Sequence, residues 1–151
     1  MKSAVCVMIY GKITGHVEFR EQVGRVKITI DLQRVPPGKH GFHIHTTGDL
    51  REGCMSLCGH YNPHHKSHGD KSSKERHVGD LGNIEADENG NVQQVMYDSL
   101  VKISGKYSVI GRSVVIHEKK DDLGKGCNLE SLITGNAGKR IACGVIGIVD
   151  E

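Results

Sequence analysis

Val26, Ile28, Ile30 and Leu32 alternate without interruption with Lys27, Thr29 and Asp31. Successive side chains of a strand point to opposite faces, so this run predicts a β-strand with one buried face. Comparable runs lie near residues 4–10, 16–20, 41–45, 92–97, 113–117 and 142–149. Asp87-Glu88-Asn89-Gly90-Asn91 reads as a hairpin turn, with Asn89-Gly90 supplying positive φ angles. The 20 glycines, many Val and Ile, and absence of Trp favour short strands and turns over long helices. Residues 46–82 and 118–140 show no clear periodicity. Loops of that length in a compact domain are usually functional or disordered, and both are rich in ion-binding groups, which favours function. The chain of 151 residues fits one domain, residues 1–151, built as an all-β antiparallel sandwich or barrel with two working loops.

Histidine is the compositional outlier, with 10 copies crowded into the middle of the chain. His43 and His45 sit two apart in a strand-like run, share a face and can reach one metal ion. A neighbouring strand can bring His117 to the same point. His60, His68, His77 and Asp80 lie in one loop that can wrap a second ion. Three imidazoles and a carboxylate suit tetrahedral zinc. An imidazole-rich set with no thiolate suits copper. His16, His64 and His65 read as ordinary solvated residues, and His40 as a structural, hydrogen-bonded histidine near the site. The net charge of +2 does not suggest a nucleic-acid binder, which carries a basic excess or stripe. No stretch is long or apolar enough to span a membrane, and the N-terminus lacks the apolar run of a signal peptide. A cytoplasmic location is expected, where the 5 cysteines default to free thiols or ligands.

The chain carries Gly41-Phe42-His43-Ile44-His45, Gly48-Asp49, His60-Tyr61-Asn62-Pro63 and Arg76-His77-Val78-Gly79-Asp80-Leu81-Gly82-Asn83. Ile110-Gly111-Arg112-Ser113, the run from His117 to Gly126, and Thr134-Gly135-Asn136-Ala137-Gly138-Lys139-Arg140 through Cys143 to Gly147 complete the set. Together these motifs resemble the copper/zinc superoxide dismutase family, in its eukaryotic cytosolic form. The resemblance implies an eight-stranded Greek-key β-barrel or sandwich, immunoglobulin-like, with a zinc loop and an electrostatic loop. It implies one copper per subunit on His43, His45, His60 and His117, and one zinc on His60, His68, His77 and Asp80. His60 is shared between the metals as a bridging imidazolate. Asp121 is expected to hydrogen-bond the free nitrogens of His43 and His68. Cys54 and Cys143 are the family's disulfide pair, an exception to the cytoplasmic default.

The implied activity is disproportionation of two superoxide anions to dioxygen and hydrogen peroxide by cycling of copper between Cu(II) and Cu(I). His60 and Arg140 are the implied catalytic residues, His60 as a general acid and Arg140 as the guide for the anion. Thr134, Lys119 and Lys139 are expected along the substrate channel. Leu129 and Ile133 depart from the family, which commonly carries an acid and a lysine there, so steering of the anion is expected to be altered but not abolished. Cys58 and Cys127 stand where glycines are common and read as free thiols, the alternatives being a pairing with each other or competition for Cys54 or Cys143. The resemblance further implies a homodimer, with a copper chaperone as a partner and no nucleic acid or membrane. Thr46-Thr47 puts polar residues where many members are bulkier or apolar. A copper carrier on the same fold is expected to lose a copper ligand or the arginine, and all are present. A zinc-only domain using Cys54, Cys58, His60 and His68 leaves His43, His45, His77, Asp80 and His117 without a role.

Overall fold

The computed structural model describes residues 1–150. Eight antiparallel strands form one curved sheet: β1 (Ser3–Val7), β2 (Thr14–Gln22), β3 (Arg25–Gln33), β4 (Gly38–His45), β5 (Asp80–Ala86), β6 (Val92–Asp98), β7 (Ser113–His117) and β8 (Arg140–Val149). Their order is β5-β4-β7-β8-β1-β2-β3-β6, so β3 and β4, adjacent in the chain, stand far apart in the sheet. This crossing is what a Greek-key connection produces. β5 and β6 approach across the remaining gap, where the Gln94 amide accepts from Glu85 N (3.3 Å) and donates to Asn83 O (3.4 Å). The barrel is thus nearly closed, with a side-chain amide standing in for part of a ladder.

The alternation in residues 26–32 becomes the core. Val26, Ile28, Ile30 and Leu32 are buried together with Phe19, Phe42, Ile44, Ile84, Ile116 and Ile146. With 2 Phe and no Trp, the interior is filled by branched aliphatics, which suit a pleated sheet. Shortening a fully buried member such as Ile116 to Ala is expected to cost about 2–5 kcal/mol.

The seven expected runs all form strands, with shifted bounds. The first ends at Val7, and Tyr10 makes only an isolated bridge to Cys143. β5 was hidden at the end of the first expected loop: Asp80, Leu81 and Gly82 are strand residues, not loop residues. Arg140 likewise opens β8 instead of closing the second loop. In the expected hairpin turn only Gly90 has positive φ (82°), so Asn89 does not share that role. A third long connection, residues 99–112, joins β6 to β7. It carries only the short alternation Val101-Lys102-Ile103-Ser104 and is held by buried Val101, Ile103 and Val109.

Two irregularities in pairing matter for function. The β4–β5 register shifts between Gly41 and His43, and the β7–β8 register shifts between Ile116 and His117. Bulges re-aim the side chains beside them, and both lie at histidines singled out by the sequence.

Candidate metal centre

Residues 40–45 of β4 are all buried, on both faces of the strand. The inner face meets the core, and the outer face, carrying His43 and His45, is covered by the loops. Tyr61 N donates to Ile44 O (2.8 Å) and Thr46 N to Gly59 O (2.9 Å), which lays the segment containing His60 along the end of β4. β7 pairs with β4 and places His117 beside them. Ligand atoms of His43, His45, His60 and His117 lie within 4.8 Å of one another, as do those of His60, His68, His77 and Asp80. His60 belongs to both groups.

Each ring on the strand side has one nitrogen tied to an acceptor. His43 Nε2 bonds Asp121 Oδ2 (2.6 Å), His45 Nδ1 bonds Cys58 O (2.8 Å) and His117 Nδ1 bonds Gly138 O (3.0 Å). Such bonds fix the tautomer and leave the other nitrogen's lone pair free. Those other nitrogens converge. His117 Nε2 is 3.4 Å from His45 Nε2. His43 Nδ1 and His60 Nε2 are buried without a partner among the described residues. Orphaned buried nitrogens are costly, and a cation at their common focus would satisfy them.

On the loop side, Asp80 Oδ1 is 2.8 Å from His68 Nδ1, 3.0 Å from His60 Nδ1 and 3.1 Å from His77 Nδ1. His60 Nδ1 and His77 Nδ1 are 3.2 Å apart. A tetrahedral zinc with bonds near ~2.0–2.1 Å separates its ligands by roughly 3.3 Å, close to this spacing. The His68 Nδ1 contact is short but lacks hydrogen-bond geometry. The nitrogen is aimed at the focus of the group instead of at the carboxylate. Both donor sets therefore fit a metal ion.

Asp121 links the two groups. Its second oxygen bonds His68 Nε2 (2.7 Å), so one buried carboxylate orients a ring of each group. Its own backbone is gripped by Asn83, whose Oδ1 accepts from Asp121 N (2.7 Å) and whose Nδ2 donates to Asp121 O (3.1 Å).

The electrostatics differ between the groups. Burial, and then the neighbouring rings, hold His43 and His45 well below the usual imidazole value. Burial pushes His117 down to about 4 and lowers His60 as well. His68 is the opposite: burial opposes its charge, but the hydrogen bond to Asp121 and the close Asp80 carboxylate win and raise it to about 9. Burial works against the Asp80 carboxylate too, yet its bonds to His60 and His77 and its close contact with His68 hold it far below the usual range.

The strand group faces an open cavity of about 740 Å³, whose lining includes Lys119, Ile133, Thr134, Lys139 and Arg140. Arg140 is half-buried, and its guanidinium donates to Cys54 O (2.8 Å) and Cys58 O (2.6 Å). Thr134 Oγ1 bonds Glu130 Oε1 (2.9 Å) at the rim. Cys54 and Cys143 form a disulfide, while Cys58 and Cys127 are exposed free thiols. Cys58 holds φ at 65°, a region that favours glycine.

The other histidines follow their expected places. His40 is buried, with Nδ1 on His117 O (2.8 Å) and Nε2 on Pro36 O (2.7 Å). His64 meets the Tyr107 ring, 4.7 Å between centroids. Sequence reasoning gave no role to Asn83, Asp98 or the carbonyls of Cys54, Cys58 and Gly138. Backbone carbonyls carry no residue-type signal. Asn83 stood inside a recognised motif, which was the one available clue.

The model of the family described as copper/zinc superoxide dismutase matches residues 13–146. The copper/zinc superoxide dismutase of Paramecium bursaria Chlorella virus 1 is 53% identical over 150 residues, covering 99% of this chain and 80% of the relative. That of Neurospora crassa is 51% identical over 151 residues, covering 98% of each chain. The crystal structure of the clock protein EA4 superposes with a TM-score of 0.93 at 46% identity, covering 97% of this chain and 94% of that one. The chain therefore belongs to the copper/zinc superoxide dismutase family, as an oxidoreductase that disproportionates superoxide with copper and zinc as its cofactors.

Proposed function

We propose that His43, His45, His60 and His117 hold copper, that His60, His68, His77 and Asp80 hold zinc, and that His60 bridges the two. The observation that carries this reading is the pair of buried four-residue groups sharing one imidazole. The imidazole-only group suits copper and the group with a carboxylate suits zinc. Bound copper supplies one-electron oxidation and reduction, so that two superoxide anions and two protons become dioxygen and hydrogen peroxide.

The chain's residues do the remaining work. Arg140, fixed by the two carbonyls, holds its charge at the floor of the cavity and pairs with the incoming anion. His60 Nε2 faces the strand group; in the state where it is not a ligand it would hold a proton there and give it to the departing product as a positioned general acid. Its Nδ1 remains on the loop side, which keeps the ring in place. Asp121 holds His43 and His68 in fixed orientation. Thr134 narrows the channel, and Lys119 and Lys139 supply the positive wall. Ile133 and Leu129 are exposed and apolar, so the positive field rests on fewer groups.

Exposed Val7 and Ile148 lie on β1 and β8, Ile9 follows the end of β1, and Met55 lies on the 3-10 helix Gly53–Leu57 that packs on β8. We take this face for the homodimer contact. Among the described residues no helix is long and apolar enough to cross a membrane. The three free thiols favour a cytoplasmic location, where copper reaches the chain through a chaperone. A single domain over residues 1–151 accords with the continuous aliphatic core.

Metal content of two variants tests the assignment. His117→Ala is expected to lose copper and keep zinc, and His77→Ala the reverse. Loss of zinc alone from His117→Ala would overturn it.

A further inference from the structure

The loop-side residues reach their positions by different routes. His60 is laid along β4, His68 is held by Asp121, and Asp80 begins β5. His77 lies on no strand. Its peptide is gripped from both sides instead. His77 N donates to Asp80 Oδ2 (2.7 Å), and His77 O accepts from Arg76 Nε (2.9 Å).

Arg76 is buried, 3% exposed. Its guanidinium also donates to Lys71 O (2.7 Å) and Val78 O (2.8 Å), so it gathers the loop on either side of His77. The fork then closes on Asp98, with Nη1 to Oδ1 at 2.7 Å and Nη2 to Oδ2 at 3.3 Å. Asp98 is the last residue of β6 and is itself pinned by Leu100 N (3.1 Å) and Val101 N (2.9 Å). The path from barrel to His77 is therefore hydrogen-bonded at every step: strand end, carboxylate, planar guanidinium, peptide.

A buried ion pair contributes little net stability against apolar packing of the same volume, so stability alone does not account for this one. We propose that Arg76 and Asp98 are positioning residues for the zinc site. They orient the His77 peptide, and through it the ring and Asp80, and so set zinc affinity without touching the metal. The inference rests on the assignment of zinc to His60, His68, His77 and Asp80. Lysine cannot replace Arg76, because a point charge cannot hold three carbonyls and a carboxylate in one plane.

The test uses the full chain carrying Asp98→Asn or Arg76→Lys, with His77→Ala alongside. Zinc affinity is read by competition with a chromogenic chelator, copper content on the same samples. Site geometry is read from the visible spectrum of Co(II) placed in the zinc site. Both clamp variants are expected to weaken zinc about 10–100-fold and shift the Co(II) spectrum, with copper content near wild type. Arg76→Lys keeps the charge opposite Asp98 and the aliphatic stem, so it reports even if Asp98→Asn does not fold. If His77→Ala loses zinc while the clamp variants keep wild-type affinity and spectrum, the clamp is refuted, whatever their melting temperatures. If His77→Ala retains zinc at full affinity, the ligand assignment fails first.

Discussion

The two halves of the metal centre are built by different means. The strand-side group takes three of its four imidazoles from neighbouring strands, whose ladders fix backbone positions before any side chain is considered. Its rings are held neutral by burial. The loop-side group takes most of its residues from a long connection and is organised by a carboxylate, Asp80, that already attracts three imidazoles. A sheet imposes geometry through its backbone, whereas a loop needs charge and a clamp to reach the same precision. His60 and Asp121 are the two side chains that tie one half to the other.

The sharpest way to break this contrast is to delete a strand-side ring. His45→Ala is expected to lose copper and to lower dismutation at least ~100-fold while zinc stays bound. Equal loss of both metals would show that the halves do not form independently. Asp121→Asn probes the link between them. Affinity for both metals is expected to fall about 10–100-fold, measured by chelator competition. A change confined to one metal would mean that Asp121 serves only one ring.

The pH dependence of the metal-free protein separates the halves by sign. His117 takes its proton near 6.5 when unfolded but only near 4 when folded. The unfolded chain binds more protons in that window, so this contribution is complete above about 6.5 and lost as pH falls toward 4. His68 holds its charge up to about 9, so its contribution is complete below 6.5 and lost as pH rises through 9. The melting temperature is expected to peak near neutral pH, with each arm worth on the order of 1–3 kcal/mol. In His68→Ala the alkaline arm should flatten, and an unaltered arm would count against the Asp80–His68–Asp121 picture.

The smallest effect concerns the cavity. Lys139→Ser is expected to slow dismutation about 2-fold at low salt, with the difference vanishing at high salt. A salt-independent difference would place Lys139 in the architecture of the site and not in its field.

Local pattern was enough for much of this protein. Strict alternation marked Val26 to Leu32 as a strand, and the spacing of His43 and His45 put them on one face. The runs that became strands kept their inward-facing apolar residues because side-chain direction in a strand depends only on parity along the chain. β5 was missed for the converse reason: Asp80 and Gly82, needed at the metal site and at a positive φ of 76°, interrupt its alternation. The candidate ligand set was likewise readable by residue type and spacing, and the structure brings those residues into two groups that could hold metal ions.

Closure of the barrel decided the rest. The residues that fix the site are far from it in sequence: Arg140 lies 86 positions from the Cys54 carbonyl it holds, and His43 lies 78 from Asp121. Which ring nitrogen is free, which carbonyl anchors the guanidinium and which acid receives Arg76 all depend on contacts between strands that the chain order separates. Periodicity reports a residue's face, and only the folded barrel determines what that face meets.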